Sequence, residues 1–168
     1  LVQTSQGGFD AAGLAPERFV DRRGARGARA TNFQRDIGRI TFSGPRIEHP
    51  AWPGAQDRLS WMAQLAAICA AAGAMPPQVS MFVVDGRGLG DVWTFVDQGV
   101  ETVATALGPV QATQVVREPQ QLIDWRVQAW LDPRRGWWPV VLRMTVPRSG
   151  AVFELHLQAE PTALEKPR

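Results

Sequence analysis

The sequence predicts a mainly β protein of α+β type: a strongly curved antiparallel sheet or half-open barrel built from a strand meander, with one amphipathic helix packed on its apolar face. Three observations predict it. Only residues 55–72 carry a long helical period, while short alternating segments punctuated by Gly, Pro and Asp fill most of the rest of the chain. Two consecutive hairpins near the C-terminus can be paired with apolar residues opposite apolar residues throughout. A single amphipathic helix among many strands has one natural place to bury its face, the apolar side of a sheet.

Composition bounds the reading. A chain of 168 residues that is 45% hydrophobic is the size of one domain, 1–168, with a real core. The formal charge is only +2, and the isoelectric point near 9.5 arises because almost all basic side chains are Arg, so it argues little for a nucleic-acid partner. No apolar run reaches the roughly 18 to 20 residues a membrane-spanning helix needs. The single cysteine, Cys69, has no partner for an internal disulfide and reads as a small buried hydrophobe. The chain opens on Leu1-Val2-Gln3-Thr4-Ser5, which reads as the inside of a strand, so the first strands of a full-length protein and any export signal are expected upstream.

In order, Leu1 to Ser5, Glu17 to Arg22, Arg26 to Arg35 and Arg39 to Ser43 read as strands, with turns at Gly7-Gly8, Arg23-Gly24 and Asp36-Ile37-Gly38. The run Arg22-Arg23-Gly24-Ala25-Arg26-Gly27-Ala28-Arg29 has the spacing of a phosphate-tracking segment, but only Phe19 and Phe33 are near to stack on bases, which favours a solvated hairpin. Residues 44–53, with Pro45, His49, Pro50, Trp52 and Pro53, form a stiff loop that delivers the chain to the helix.

The helix is expected over about Ala55 to Ala72, burying Leu59, Trp61, Met62, Leu65, Ile68 and Cys69 and exposing Ser60, Gln64, Ala67 and Ala71. Pro53 suits its start, Asp57 complements its dipole, Gly73 suits a left-handed cap, and Pro76-Pro77 stop it. Beyond it, strands are read at Val79 to Val84, Val92 to Val96, Val100 to Leu107, Val110 to Arg117, Ile123 to Leu131, Trp138 to Val146 and Ala151 to Ala159. A four-residue loop 133–136 sets Leu131 opposite Trp138 and Val127 opposite Leu142. A second, 147–150, sets Met144 opposite Phe153 and Leu142 opposite Leu155. The helix is expected on the layer of Val127, Leu142 and Leu155. The other face carries Arg126, Gln128, Trp130, Arg143 and His156, with Arg143 directly across from Glu154.

Gly7, Gly13-Leu14-Ala15-Pro16, Phe19 and Arg22-Arg23, then Pro53-Gly54-Ala55-Gln56-Asp57-Arg58-Leu59-Ser60, then Trp130-Leu131-Asp132-Pro133 and Gly136-Trp137-Trp138-Pro139-Val140 together resemble the DUF3108 family of bacterial exported proteins. The resemblance covers nearly the whole chain, and the segment from Pro53 to Ser60 is its most specific part. It implies a periplasmic or cell-envelope protein of unknown function and offers no catalytic residues to carry over. The hairpin around Trp130 and Pro139 is also similar to lipoprotein-carrier-type proteins, at the level of fold alone.

The catalytic inventory argues against an enzyme and against a cofactor or metal. His49 and His156 are far apart and lack a second ligand at metal spacing. The segment Asp85-Gly86-Arg87-Gly88-Leu89-Gly90-Asp91 is followed by a strand pattern rather than a helix, so it reads as a hairpin loop instead of a phosphate loop. Two functions remain: a binding or carrier module for a lipid or other amphiphile, and a structural module that meets an envelope protein partner, with nucleic acid disfavoured. The seven tryptophans motivate the first. Its expected ligand-binding residues are Trp52, Trp130 and Trp137 at the mouth of an apolar groove, with Arg126 and Arg143. Trp61, Trp125 and Trp138 are expected in the core.

Overall fold

The computed structural model describes residues 2–24 and 27–159. Its elements are β1 (Val2–Asp10), β2 (Gly13–Arg22), β3 (Ala28–Gln34), β4 (Arg39–Phe42), β5 (His49–Pro50), β6 (Gln56–Asp57), α1 (Ser60–Ala72), β7 (Gln78–Val84), β8 (Gly90–Thr105), β9 (Gly108–Arg117), β10 (Arg126–Asp132), β11 (Trp138–Val146) and β12 (Ala151–His156). The protein is therefore mainly β, with one α-helix among the described residues. The strands are shared between a five-stranded sheet, β1-β2-β3-β4-β5, and a seven-stranded sheet in the order β12-β11-β10-β9-β8-β7-β6. Among the registered pairs all are antiparallel except β6 with β7. Two compact units divide the chain, Leu1–Phe95 and Val96–Arg168. Among the described residues no helix is long and apolar enough to cross a membrane.

In the first unit the expected turn at Gly7-Gly8 is instead strand. The register of β1 on β2 shifts between Gln6 and Gly7, a bulge, and a Cβ on Gly7 would stand 2.2 Å from the Ala15 carbonyl oxygen. Glycine there admits close backbone approach and leaves the strand unbroken. The chain reverses three residues later, where the Asp10 carboxylate accepts the Ala12 N–H at 2.8 Å. Of the Arg-rich run, Arg22 ends β2 and Ala28-Arg29 begin β3, while Ala25 and Arg26 lie outside the described residues. At Gly38 the backbone is left-handed, as the expected turn requires (φ 69°).

The helix starts at Ser60, later than expected, because Gln56 and Asp57 are held as β6 against Val83 and Val84 of β7. Pro53 and Gly54 are therefore a turn before a strand, not a helix start. The left-handed Gly73 cap is as expected (φ 70°), with its N–H on the Ala70 carbonyl. Trp61, Leu65 and Cys69 are buried at i, i+4 and i+8, with Trp61 stacked on Phe95 at 4.9 Å and 14°. Ser60 and Gln64, assigned to the wet face, are buried as well, while Leu59, Met62 and Ile68 are only partly so. The helix contacts β2, β6 and β7. These elements belong to the first unit, whereas Val127, Leu142 and Leu155, the layer expected beneath the helix, belong to the second, where Leu155 is 48% exposed.

In the second unit the two C-terminal hairpins test the predicted registers. β11 and β12 pair as predicted, Met144 with Phe153, Leu142 with Leu155 and Arg143 with Glu154. β10 and β11 do not. The register shifts between Trp130 and Leu131, and Trp137 joins the turn in a left-handed conformation (φ 65°), so Trp138 faces Asp132, Leu131 faces Pro139 and Val127 faces Met144. Trp138, expected in the core, is 51% exposed, and Trp137 beside it is buried. The two strands read on either side of Asp97-Gln98-Gly99 are continuous as β8. That tripeptide is a bulge in the pairing with β9, and the Asp97 carboxylate accepts the Gly99 N–H.

Candidate functional site

The segment from Gln56 to Gln64 builds a buried polar knot in the first unit. Asp57 Oδ1 accepts the N–H groups of Leu59 and Ser60 at 2.8 and 2.9 Å, Oδ2 accepts the Ser5 hydroxyl at 2.6 Å, and the Asp57 N–H donates to Ser60 Oγ. The carboxylate thus satisfies donors at the helix start, where four N–H groups lack intrahelical partners. Gln64 receives the Leu14 N–H at 2.7 Å and donates to the Ala12 carbonyl at 2.9 Å, and Gln56 donates to the Leu14 carbonyl at 2.8 Å. A Cβ on Gly13 would stand 2.6 Å from Gln64 Oε1, so the turn and the glutamine need each other. Gln56 and Asp57 are fully buried and Ser60 nearly so. This is the chemistry of a structural clamp joining β1, β2, β6 and α1, with each carboxylate oxygen engaged.

The five residues singled out from the sequence fall in both units. Trp52 belongs to the first; it is 46% exposed and meets Phe82 edge-on at 4.5 Å. The other four belong to the second. Trp130 is buried among Val110, Ala112, Val140 and Val141, and its indole N–H donates to Glu101. Trp137 is buried in the β10–β11 turn. Arg126 pairs with Glu118 at 2.9 Å, and Arg143 pairs with Glu154. The Arg143 guanidinium, and then His156, hold the Glu154 carboxyl below its usual range. In the loop that reads as a hairpin, Asp85 Oδ1 accepts the N–H groups of Arg87 and Leu89, so this carboxylate serves the loop's own backbone.

The apolar layer read from the sequence reaches β12, but there it is exposed. Phe153 and Leu155 project to one face at 42% and 48% exposure. On that same face Met144, opposite Phe153, is partly buried, and Val127, opposite Met144, is fully buried. The apolar layer is therefore closed at β10 and open at β12.

The family described as "Protein of unknown function (DUF3108)" matches residues 1–157, and this chain belongs to it. Neither a curated protein nor a solved structure matches the chain.

Proposed function

We propose that the protein is a non-catalytic binding or carrier module of the cell envelope, taking a lipid or other amphiphile whose acyl part lies along the open end of the β10–β11–β12 apolar layer. One observation carries the reading: Phe153 and Leu155 continue a buried layer outward into solvent. Apolar surface left in water at the edge of a packed layer favours an apolar occupant. Each methylene buried there contributes about 0.8 kcal/mol, so about ten suffice for micromolar affinity before ordering costs. The envelope assignment rests on the family resemblance.

The test is a titration of delipidated protein with a brominated fatty acid, read by tryptophan quenching. Saturable quenching is expected in the parent and lost in Phe153→Asp/Leu155→Asp, with little change in the unfolding midpoint because both side chains are half exposed. No saturable quenching in the parent, or equal affinity in the variant, removes the reading. The alternative, an interaction module for an envelope protein, draws on the ends of the two sheets. β1 and β12 close their sheets as edge strands, the usual templates for strand addition. Native mass spectrometry separates the two, since the first reading expects co-purified lipid and the second does not.

A further inference from the structure

Two sequence features that each read as plain turns line one concavity of the first unit. Arg23 and Arg29 come from the Arg-rich run and the start of β3, and Arg87 comes from the glycine-rich loop between β7 and β8. With Asp21 and Gly27 they enclose about 80 Å³. The loop is held over β3, since the Thr31 hydroxyl donates to the Asp85 carbonyl at 3.1 Å and Gly86 lies against the Arg29 side chain. Arg29 and Arg87 form no ion pair among the described residues, so the concavity carries excess positive charge. The volume is on the scale of one small oxyanion.

Asp21 adds the second observation. It is 8% exposed, and its Oδ2 accepts from Arg23 at 2.9 Å, while Oδ1 is buried with no hydrogen-bond partner among the described residues. A carboxylate oxygen only accepts, and a buried acceptor left unpaired is costly. What completes this site must bring negative charge to the arginines and an O–H to Asp21 Oδ1. Sulfate and phosphodiesters have the charge and no proton to donate. A phosphate monoester that still holds its one proton near pH 6, or inorganic phosphate, which holds at least one there, has both.

The geometry points to a binding site for a phosphate group that still carries a proton, free or as a monoester, in which Arg23, Arg29 and Arg87 take the charged oxygens and Asp21 accepts the P–OH. The site does not depend on the amphiphile reading, which concerns the other unit. It disfavours a nucleic-acid backbone for the reason it favours a monoester.

Isothermal titration at about pH 6, where a monoester is half protonated, tests it with inorganic phosphate and sulfate. Phosphate is expected to bind saturably, with sulfate at least tenfold weaker. Asp21→Asn, which gains an N–H donor, should abolish that preference, and Arg29→Ala and Arg87→Ala, both on exposed positions, should each weaken phosphate at least fivefold. Vesicles of phosphatidylcholine with added phosphatidic acid or phosphatidylglycerol identify the source. Retention only by phosphatidic acid, competed by phosphate, assigns a lipid monoester; phosphate binding without retention assigns a free one. No saturable phosphate binding, equal affinity for sulfate, equal retention by phosphatidylglycerol, or tighter binding of a single-stranded oligonucleotide overturns the proposal. Unchanged phosphate affinity in Arg29→Ala and Arg87→Ala overturns it even if Asp21→Asn fails to fold.

Discussion

Asp57 shows how one side chain organises several elements. Its carboxylate takes the first N–H groups of the helix and a hydroxyl from β1, while its backbone is a strand residue of β6. Removing it strands buried donors, each costing about 1–3 kcal/mol. Asp57→Ala is therefore expected to lower stability by at least about 2 kcal/mol in urea unfolding. Asp57→Asn keeps the oxygen that serves Leu59 and Ser60 and offers an amide to Ser5, so it should lose less than half as much. Equal losses in the two variants would show that the hydrogen bonds named here do not hold the helix start. The same knot explains why the wheel misplaced Gln64 and Ser60. Periodicity weighs a polar residue as wet, and it has no means to see a hairpin turn, at Ala12 to Leu14, that needs a donor and an acceptor.

At the scale of elements, legibility follows how local the deciding interaction is. The β11–β12 register was readable because a short turn and an alternating pattern fix it together. The neighbouring hairpin was not. Asp132 accepts the Arg134 N–H and pairs with Arg135, tightening Pro133–Arg135 into a 3-10 turn, and Trp137 adopts a left-handed backbone that a bulky side chain seldom takes. One extra turn residue then moved Trp138 out of the core. For the candidate site, the exposed indole of Trp52 and the Arg143–Glu154 pair were within reach of pattern, whereas the Glu101 partner of Trp130, 29 positions away, depends on strand order. Edge strand β12 also carries a pH dependence. The Glu154 carboxyl is held below its ordinary range in the folded state, first by Arg143 and then by His156. Its contribution is therefore fully present above the ordinary carboxylate range and is lost as pH falls through the lowered folded value. The stability difference between the parent and Glu154→Gln should be present at neutral pH and vanish in acid; a difference that grows on acidification would reverse the sign argued here. Solvent screening keeps it small.

At the scale of the molecule, each unit carries a feature that its own packing leaves incomplete: an open apolar strip on β12 in Val96–Arg168, and a basic concavity around Asp21 in Leu1–Phe95. Neither is needed to explain the fold, whose elements bury Val115, Val127 and Ala129 in one unit and Phe19, Ile40 and Leu65 in the other. Ligands that bind only the folded state suppress the openings that release them, by about 100-fold when present at 100 times Kd. Hydrogen exchange can therefore localise occupancy without assuming that either ligand changes the global midpoint. A saturating fatty acid is expected to slow exchange in peptides covering β11 and β12 and leave those of β2, β3 and the Asp85–Gly90 loop unchanged. Inorganic phosphate should do the opposite. Protection spread evenly over both units by either ligand would mean that binding acts through global stabilisation, and the assignment of each ligand to its own surface would fail.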